Sequence, residues 1–198
     1  MKILLVSKHF WPENFRINII ANHLSKKNYI EVLCEEPSYN KFKHRYKLNK
    51  NIKINRFWTY PRKKSLFSIF LNYLSFIVFG SFKIFRMNTS KFDLVFTYAT
   101  SPIFQAIPSI IYSKTKKIPS FLWVQDLWPE VIEDLNILKN KFLIFMIKIL
   151  TKIIYLNTNY IFAQSISFKK TIQKLSKKKV DLLYNPEIKQ NFKFYIKK

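Results

Sequence analysis

Glycine is almost missing from this 198-residue chain, with Gly80 the only one. A G-x-G-x-x-G turn and a Walker loop are therefore excluded, since both need several glycines to bring backbone N–H groups against phosphate. Cysteine is equally scarce. The single Cys34 rules out an internal disulfide and a thiolate metal cluster, and reads as a small core residue in a reducing compartment. The histidines, His9, His23 and His44, have no metal-ligand spacing, so no metal is expected. No Ser-His-Asp arrangement stands out either. Acidic residues number 11 against 35 Lys and Arg, a formal net charge of +24. Such a charge suits nucleic acid or an anionic membrane. The excess is mostly Lys, however, and it travels with abundant Asn, Ile, Phe and Tyr, a bias that AT-rich coding alone produces. Arginine, the better phosphate fork, stands only at 16, 45, 56, 62 and 86. Specific nucleic-acid binding is not expected.

What the chain does have is 48% hydrophobic residues, enough for a full core. The start, "MKILLVSKHFW", lacks a small-residue cleavage site and reads as a strand, not a signal peptide. Apolar runs of strand length recur at about 2–6, 30–34, 52–58, 92–97, 120–124, 159–163 and 180–184. Runs such as "LVF" (94–96) and "FLWV" (121–124) are apolar on consecutive positions, as parallel strands covered on both faces require. Between the strands, "NFRINIIANHLSKK" sets Ile17, Ile20, Ala21 and Leu24 on one helical face. In "SPIFQAIPSIIYSK", Ser101 reads as an N-cap, Pro102 as the first helical residue and Pro108 as a kink. The alternation predicts an α/β fold, a Rossmann-like doubly wound parallel sheet. One domain over 1–186 and a basic tail over 187–198 are expected.

Two helical segments bear on membranes. "LFSIFLNYLSFIVFGSF" (66–82) carries no charge over its length, at the lower edge of what spans a bilayer. Ser68, Asn72, Ser75, Gly80 and Ser81 dilute it, and basic residues flank both ends: Arg62, Lys63 and Lys64 before, Lys83 and Arg86 after. Symmetric flanks give no orientation bias and fit a helix lying on an anionic surface better than one crossing it. A greasy helix packed on the sheet fits as well. The second segment, "KFLIFMIKILTKIIYL" (141–156), sets Lys141, Lys148 and Lys152 along one stripe, with Phe142, Leu143, Met146, Ile149, Leu150 and Ile153 opposite. That reads as ordinary amphipathic packing.

Four of the 11 carboxylates fall in "WVQDLWPEVIED": Asp126, Glu130, Glu133 and Asp134. The stretch begins where the fifth strand ends, at the carboxyl edge where open α/β sheets bind ligands. Glu133 and Asp134 suit the helix dipole. Asp126 precedes the helix between Trp123 and Trp128, and a carboxylate beside indole faces suits a sugar, although a helix cap would explain it too. Other loops on that edge agree. The first strand is followed by Trp11, Glu13, Asn14 and Arg16, the fourth by Tyr98, Thr100 and Ser101, the sixth by Gln164 and Ser165. Polar and aromatic residues recurring after successive strands are the layout of a cleft.

"FWPENFRIN", "WVQDLWPE", the "SPI" after the fourth strand and "AQSISF" after the sixth resemble the N-terminal half of bacterial family 4 glycosyltransferases. The nearest are fucosamine-transferase-like enzymes of O-antigen and capsule assembly. The resemblance runs from Met1 to about Pro186. It implies one N-terminal lobe of the two-lobed GT-B fold and retaining transfer from a nucleotide-sugar, such as a UDP-sugar. The acceptor would be a polyprenyl-diphosphate-linked sugar at the cytoplasmic face of the plasma membrane, with the chain peripheral there. Asp126 becomes the candidate catalytic residue. Trp11, Glu13, Asn14, Arg16, Ser101, Trp128 and Glu130 become candidates for acceptor binding, with Arg16 toward the diphosphate. The basic flanks Arg62, Lys63, Lys64, Lys83 and Arg86 would touch the membrane. The family's pair of donor-holding glutamates eight apart has no counterpart among Glu13, Glu31, Glu35, Glu36, Glu130, Glu133 and Glu187. The donor-binding lobe is therefore expected on a separate polypeptide or to have been lost. Two readings stay open: half of a transferase, inactive alone, or an inactive membrane-surface binding domain.

Overall fold

The computed structural model describes residues 1–37, 47–87, 92–136 and 138–186. Among these residues, seven strands form one all-parallel sheet: β1 (Lys2–Val6), β2 (Tyr29–Glu35), β3 (Ile52–Phe57), β4 (Leu94–Ala99), β5 (Ser120–Val124), β6 (Tyr160–Ala163) and β7 (Asp181–Leu182). Their order is β3-β2-β1-β4-β5-β6-β7. The expected Rossmann-like doubly wound sheet is the fold found. The order reverses between β1 and β4, where Ile3 pairs with Leu94 and Val6 with Thr97. The fourth strand starts two residues later than its apolar run, because Asp93 is spent on the edge: its carboxylate accepts from the Lys2 N–H at 2.7 Å.

Alternation along the strands divides the core. Ile3, Leu5, Val32 and Cys34 face α1 (Arg16–Leu24), whose Ile17 and Ala21 are buried against them as its periodicity predicts. Leu4, Val6, Leu33 and Val95 face the opposite way, toward Phe76 and Ile84 of α2 (Leu66–Arg86) and Tyr112 of α3 (Ile107–Lys116). On the β5–β6 part of that second face, a further cluster gathers Ile132 of α4 (Glu130–Asp134), Ile154 and Tyr155 of α5 (Lys141–Leu156) and Ile172 of α6 (Ile166–Ser176).

Three sequence expectations change. Ser101 does not cap a helix: a 3-10 turn over Ile103–Ala106 follows Pro102, and the Ser101 hydroxyl is bonded elsewhere. Pro108 does not kink α3 but lies in its first turn, where its missing N–H has no intrahelical partner to lose. The third change is the largest. Segment 141–156 does not pack its apolar stripe inward, since Phe142, Leu143, Met146, Ile149, Leu150 and Ile153 are all exposed. The helix is held instead by Thr151, Ile154 and Tyr155. The 187–198 tail lies outside the described residues.

Helix α2 is inverted in the same sense. Its buried residues are Ser68, Asn72, Phe76, Gly80 and Ile84, a row at four-residue spacing. Ser68 accepts from the Lys63 N–H at 2.7 Å and donates to the Pro61 carbonyl at 3.0 Å. Ser75 accepts from the Tyr60 N–H at 2.8 Å. The serines and Asn72 thus bind the loop after β3. Gly80 permits close packing there, because a Cβ would lie 3.1 Å from the Phe57 ring and 3.4 Å from Pro108.

Candidate functional site

A cleft of about 860 Å³ opens at the carboxyl end of β1, β2 and β3. The turn after β1 contributes Lys8, His9, Glu13 and Asn14, the end of β2 gives Glu35 and Glu36, and the segment after β3 gives Trp58 to Arg62. Asn72 reaches in from α2. Parallel strands make this convergence possible, because every strand ends on the same edge.

His9 is held from three sides. Its Nδ1 is 2.9 Å from Glu13 Oε2 and 3.3 Å from Glu35 Oε1, and its ring stacks on Phe15 at 4.9 Å between centroids. Two carboxylates at Nδ1 favour the tautomer with the proton there, which leaves Nε2 as the atom to accept one from a ligand. Behind it lies Lys8, buried although charged. Its Nζ donates to Asn72 Oδ1 at 2.7 Å, is 3.6 Å from Glu35 Oε1, and stands over the Tyr73 ring at 5.3 Å. Burial lowers the Lys8 ionisation below its usual 10.5, and Glu35 opposes that shift in part. Glu35 also accepts from the Thr59 hydroxyl at 3.0 Å. Asn72 donates in turn to the Tyr60 carbonyl at 2.7 Å. The wall is rigid, polar and mutually bonded, with both charge signs present. At the mouth, exposed Arg62 lies over Tyr73 at 5.8 Å, and Trp58 meets Phe79 of α2 edge-on at 5.5 Å.

Of the residues singled out from the sequence, Glu13, Asn14 and Arg62 line this cleft. Asp126, Ser101, Trp128 and Glu130 stand beyond β4 and β5 instead. Ser101 donates to Asp126 Oδ2 at 2.8 Å and accepts from Trp128 Nε1 at 3.2 Å. Helix α4 has no side-chain cap, so the capping role open to Asp126 is not the one it plays. The indoles are turned inward: Trp128 is 5% exposed against Phe104 and Tyr73, and Trp123 is 2% exposed, donating to the Leu183 carbonyl at 2.9 Å. Neither presents a face for a sugar in this structure. Glu130 has one buried oxygen with no hydrogen-bond partner among the described residues, and its charge bears on the buried Tyr155 hydroxyl.

Arg16 opens α1 on the exposed side, outside the cleft lining. It and Asp126 are nevertheless close enough for both charges to act on Tyr98, whose hydroxyl burial pushes up to about 12. Trp11 serves the turn through its backbone: its carbonyl accepts from Arg56 Nη2 at 2.6 Å and its N–H donates to Asn18 Oδ1 at 2.9 Å. Ser165 caps α6 by accepting from the Phe168 N–H at 3.2 Å. Gln164, Gln125 and Asn185 bond one another at the ends of β5, β6 and β7.

Sequence reasoning missed Lys8, His9, Glu35 and Asn72. A signal existed: "SKH" and "CEE" put charged groups directly after the first two apolar strands, which adjoin in any Rossmann order.

No family model and no characterised protein matches this chain by sequence. Solved structures do match in fold. Sucrose-phosphate synthase from Thermosynechococcus elongatus aligns with a TM-score of 0.63 at 11% identity, over 92% of this chain and 47% of that one. E. coli trehalose-6-phosphate synthase bound with UDP-2-fluoro glucose aligns with a TM-score of 0.53 at 10% identity, over 88% of this chain and 42% of that one. The chain therefore spans less than half the length of either. At such identity the likeness establishes the fold alone, a Rossmann-like lobe as in the two-lobed GT-B fold.

Proposed function

We propose that the chain is the acceptor-binding lobe of a retaining glycosyltransferase, taking a polyprenyl-diphosphate-linked sugar at the inner face of the plasma membrane. The observation that carries this reading is the cleft beyond β1–β3, whose polar wall adjoins an apolar helix. A headgroup with many hydroxyls needs acceptors, which Glu13, Glu35 and His9 supply. A diphosphate needs a cation at the mouth, and Arg62 stands there, with Lys63 and Lys64 next to it in sequence before the first turn of α2. A prenyl chain needs apolar surface beside both, which Phe79 of α2 offers together with Trp58 from the segment after β3. This moves the diphosphate contact from Arg16 to Arg62.

Transfer itself requires a nucleotide-sugar on a second lobe. The acceptor oxygen bonds the anomeric carbon, the bond from that carbon to the nucleotide diphosphate breaks, and the hydroxyl proton passes to the departing diphosphate oxygen. His9 Nε2 would orient that hydroxyl.

Titration of the chain with a short, water-soluble prenyl-diphosphate sugar tests the reading. The sugar-bearing ligand should bind more tightly than the bare prenyl diphosphate, and His9→Ala should erase the difference. Equal binding of the two ligands, or none of either, overturns it.

A further inference from the structure

We infer that α2 and α5 together form one rigid bilayer-docking surface, with an anionic lipid membrane as its occupant. This extends the membrane contact proposed for the 62–86 segment to a second helix, and it stands whether or not the cleft takes a lipid-linked sugar. Both helices lie on the same side of the sheet. Tyr73 of α2 and Ile147 of α5 pack against one core cluster, with Phe104 of the 3-10 turn packed there too. Each helix turns polar or small residues toward the protein, Ser68, Asn72 and Gly80 in one and Thr151 in the other. Apart from buried Phe76, the phenylalanines of both helices face outward. On α2, Phe67 is 70% exposed, with Phe70, Phe82 and Phe85 beside it. On α5, Phe142 is 67% exposed, with Phe145 and Ile149 beside it. A monomer in water does not gain from such an arrangement, and a patch of this kind marks an interaction surface.

Charge selects the occupant. No carboxylate occurs in 62–86 or 141–156, while Arg62, Lys63, Lys64, Lys83, Arg86, Lys141, Lys148 and Lys152 all do. Lys141, Lys148 and Lys152 follow one flank of α5, beside its apolar face and not within it. Cations rimming an apolar face repel a second copy of the same surface and complement an anionic bilayer. Among the described residues, only α2 is long and apolar enough to cross a membrane, and it could do so only if Ser68, Asn72 and Ser75 abandon their partners in the loop after β3.

The test compares the full chain with Phe70→Ser/Phe82→Ser and Phe145→Ser/Ile149→Ser variants. All four positions are exposed, so far-UV circular dichroism and melting should be unchanged. On vesicles containing phosphatidylglycerol, each pair should lower partitioning by roughly tenfold or more, and pure phosphatidylcholine should bind every form weakly. Alkaline carbonate should release the chain. Three results overturn the proposal: full binding by the α5 variant, retention through carbonate, or a vesicle-indifferent dimer that the variants dissociate. Binding of the soluble prenyl-diphosphate sugar should be the same in both variants, so failure here leaves the cleft reading standing, and the reverse holds.

Discussion

The two ends of the sheet's carboxyl edge carry similar side chains and use them differently. Beyond β4–β7, Asp126, Ser101 and Trp128 bond one another, Gln125, Gln164 and Asn185 do the same, and the indoles close over the core. Beyond β1–β3, His9, Glu13, Glu35 and Lys8 also bond one another, but around open volume. Residue types suited to a sugar occur at both ends. The second end also has space beside its paired charges, and space plus fixed charge is what a ligand requires.

The largest expected effect separates the ends by stability. Lys8→Met leaves Glu35 buried beside Asn72 and His9 without its ammonium partner, and removing one member of a buried ion pair costs about 3–5 kcal/mol. Asp126→Ala removes one partly buried hydroxyl-to-carboxylate bond, and such a charged hydrogen bond contributes about 1.5–3 kcal/mol. Urea unfolding of both variants measures this. Equal losses would mean that the Lys8 cluster is no more tightly built than the Asp126 triad.

The next effect separates them by ligand. With a prenyl-diphosphate sugar, Arg62→Ala should weaken binding by about 1.5–3 kcal/mol through its charge-assisted contact. Arg16→Ala and Asp126→Ala should change it little. The reverse ranking, with calorimetry showing Asp126 dominant, would put the acceptor beyond β5 and make the β1–β3 cleft incidental.

The same contrast explains what the sequence could and could not reveal. Strand positions were legible because consecutive apolar residues leave a doubly covered parallel strand few alternatives. The carboxyl edge was legible because polar residues follow β1 and Asp126 follows two residues after the end of β5. The cleft was not. Carboxylates close in sequence, Asp126 to Asp134, stand out to inspection, whereas Glu13 and Glu35 meet only because β1 and β2 pair from Lys2–Tyr29 to Val6–Leu33. Helix faces misled for another reason. Periodicity locates an apolar stripe but not the side from which water is excluded, so α5 could be read inward while its stripe faces outward.

The smallest effect is invisible at neutral pH and tests whether the cleft end of the sheet stays closed. Cys34 precedes Glu35 on β2 and points to the α1 side, fully buried. Burial pushes its thiol from the ordinary 9.0 up to about 12, against the pull of Arg56. Between those values the unfolded chain has lost a proton that the folded chain keeps. Its contribution to stability is therefore complete below 9.0 and declines as pH rises toward about 12. Lys8 acts in the opposite sense. Its folded ionisation lies below 10.5, so the unfolded chain holds the proton longer and stability rises with pH until 10.5 is reached. Neighbouring residues at one end of the sheet thus give opposing alkaline slopes. Cys34→Ala should remove the part of the falling slope that begins near 9.0, while the part that Tyr98 gives from 10.0 upward stays, as urea unfolding across the alkaline range would record. Maleimide should label native Cys34 at neutral pH only as fast as β2 opens, and far more slowly than the unfolded thiol. Rapid labelling of the folded chain would mean that β2 is loose where His9 and Glu35 meet, and the rigid wall assigned to the cleft would be wrong.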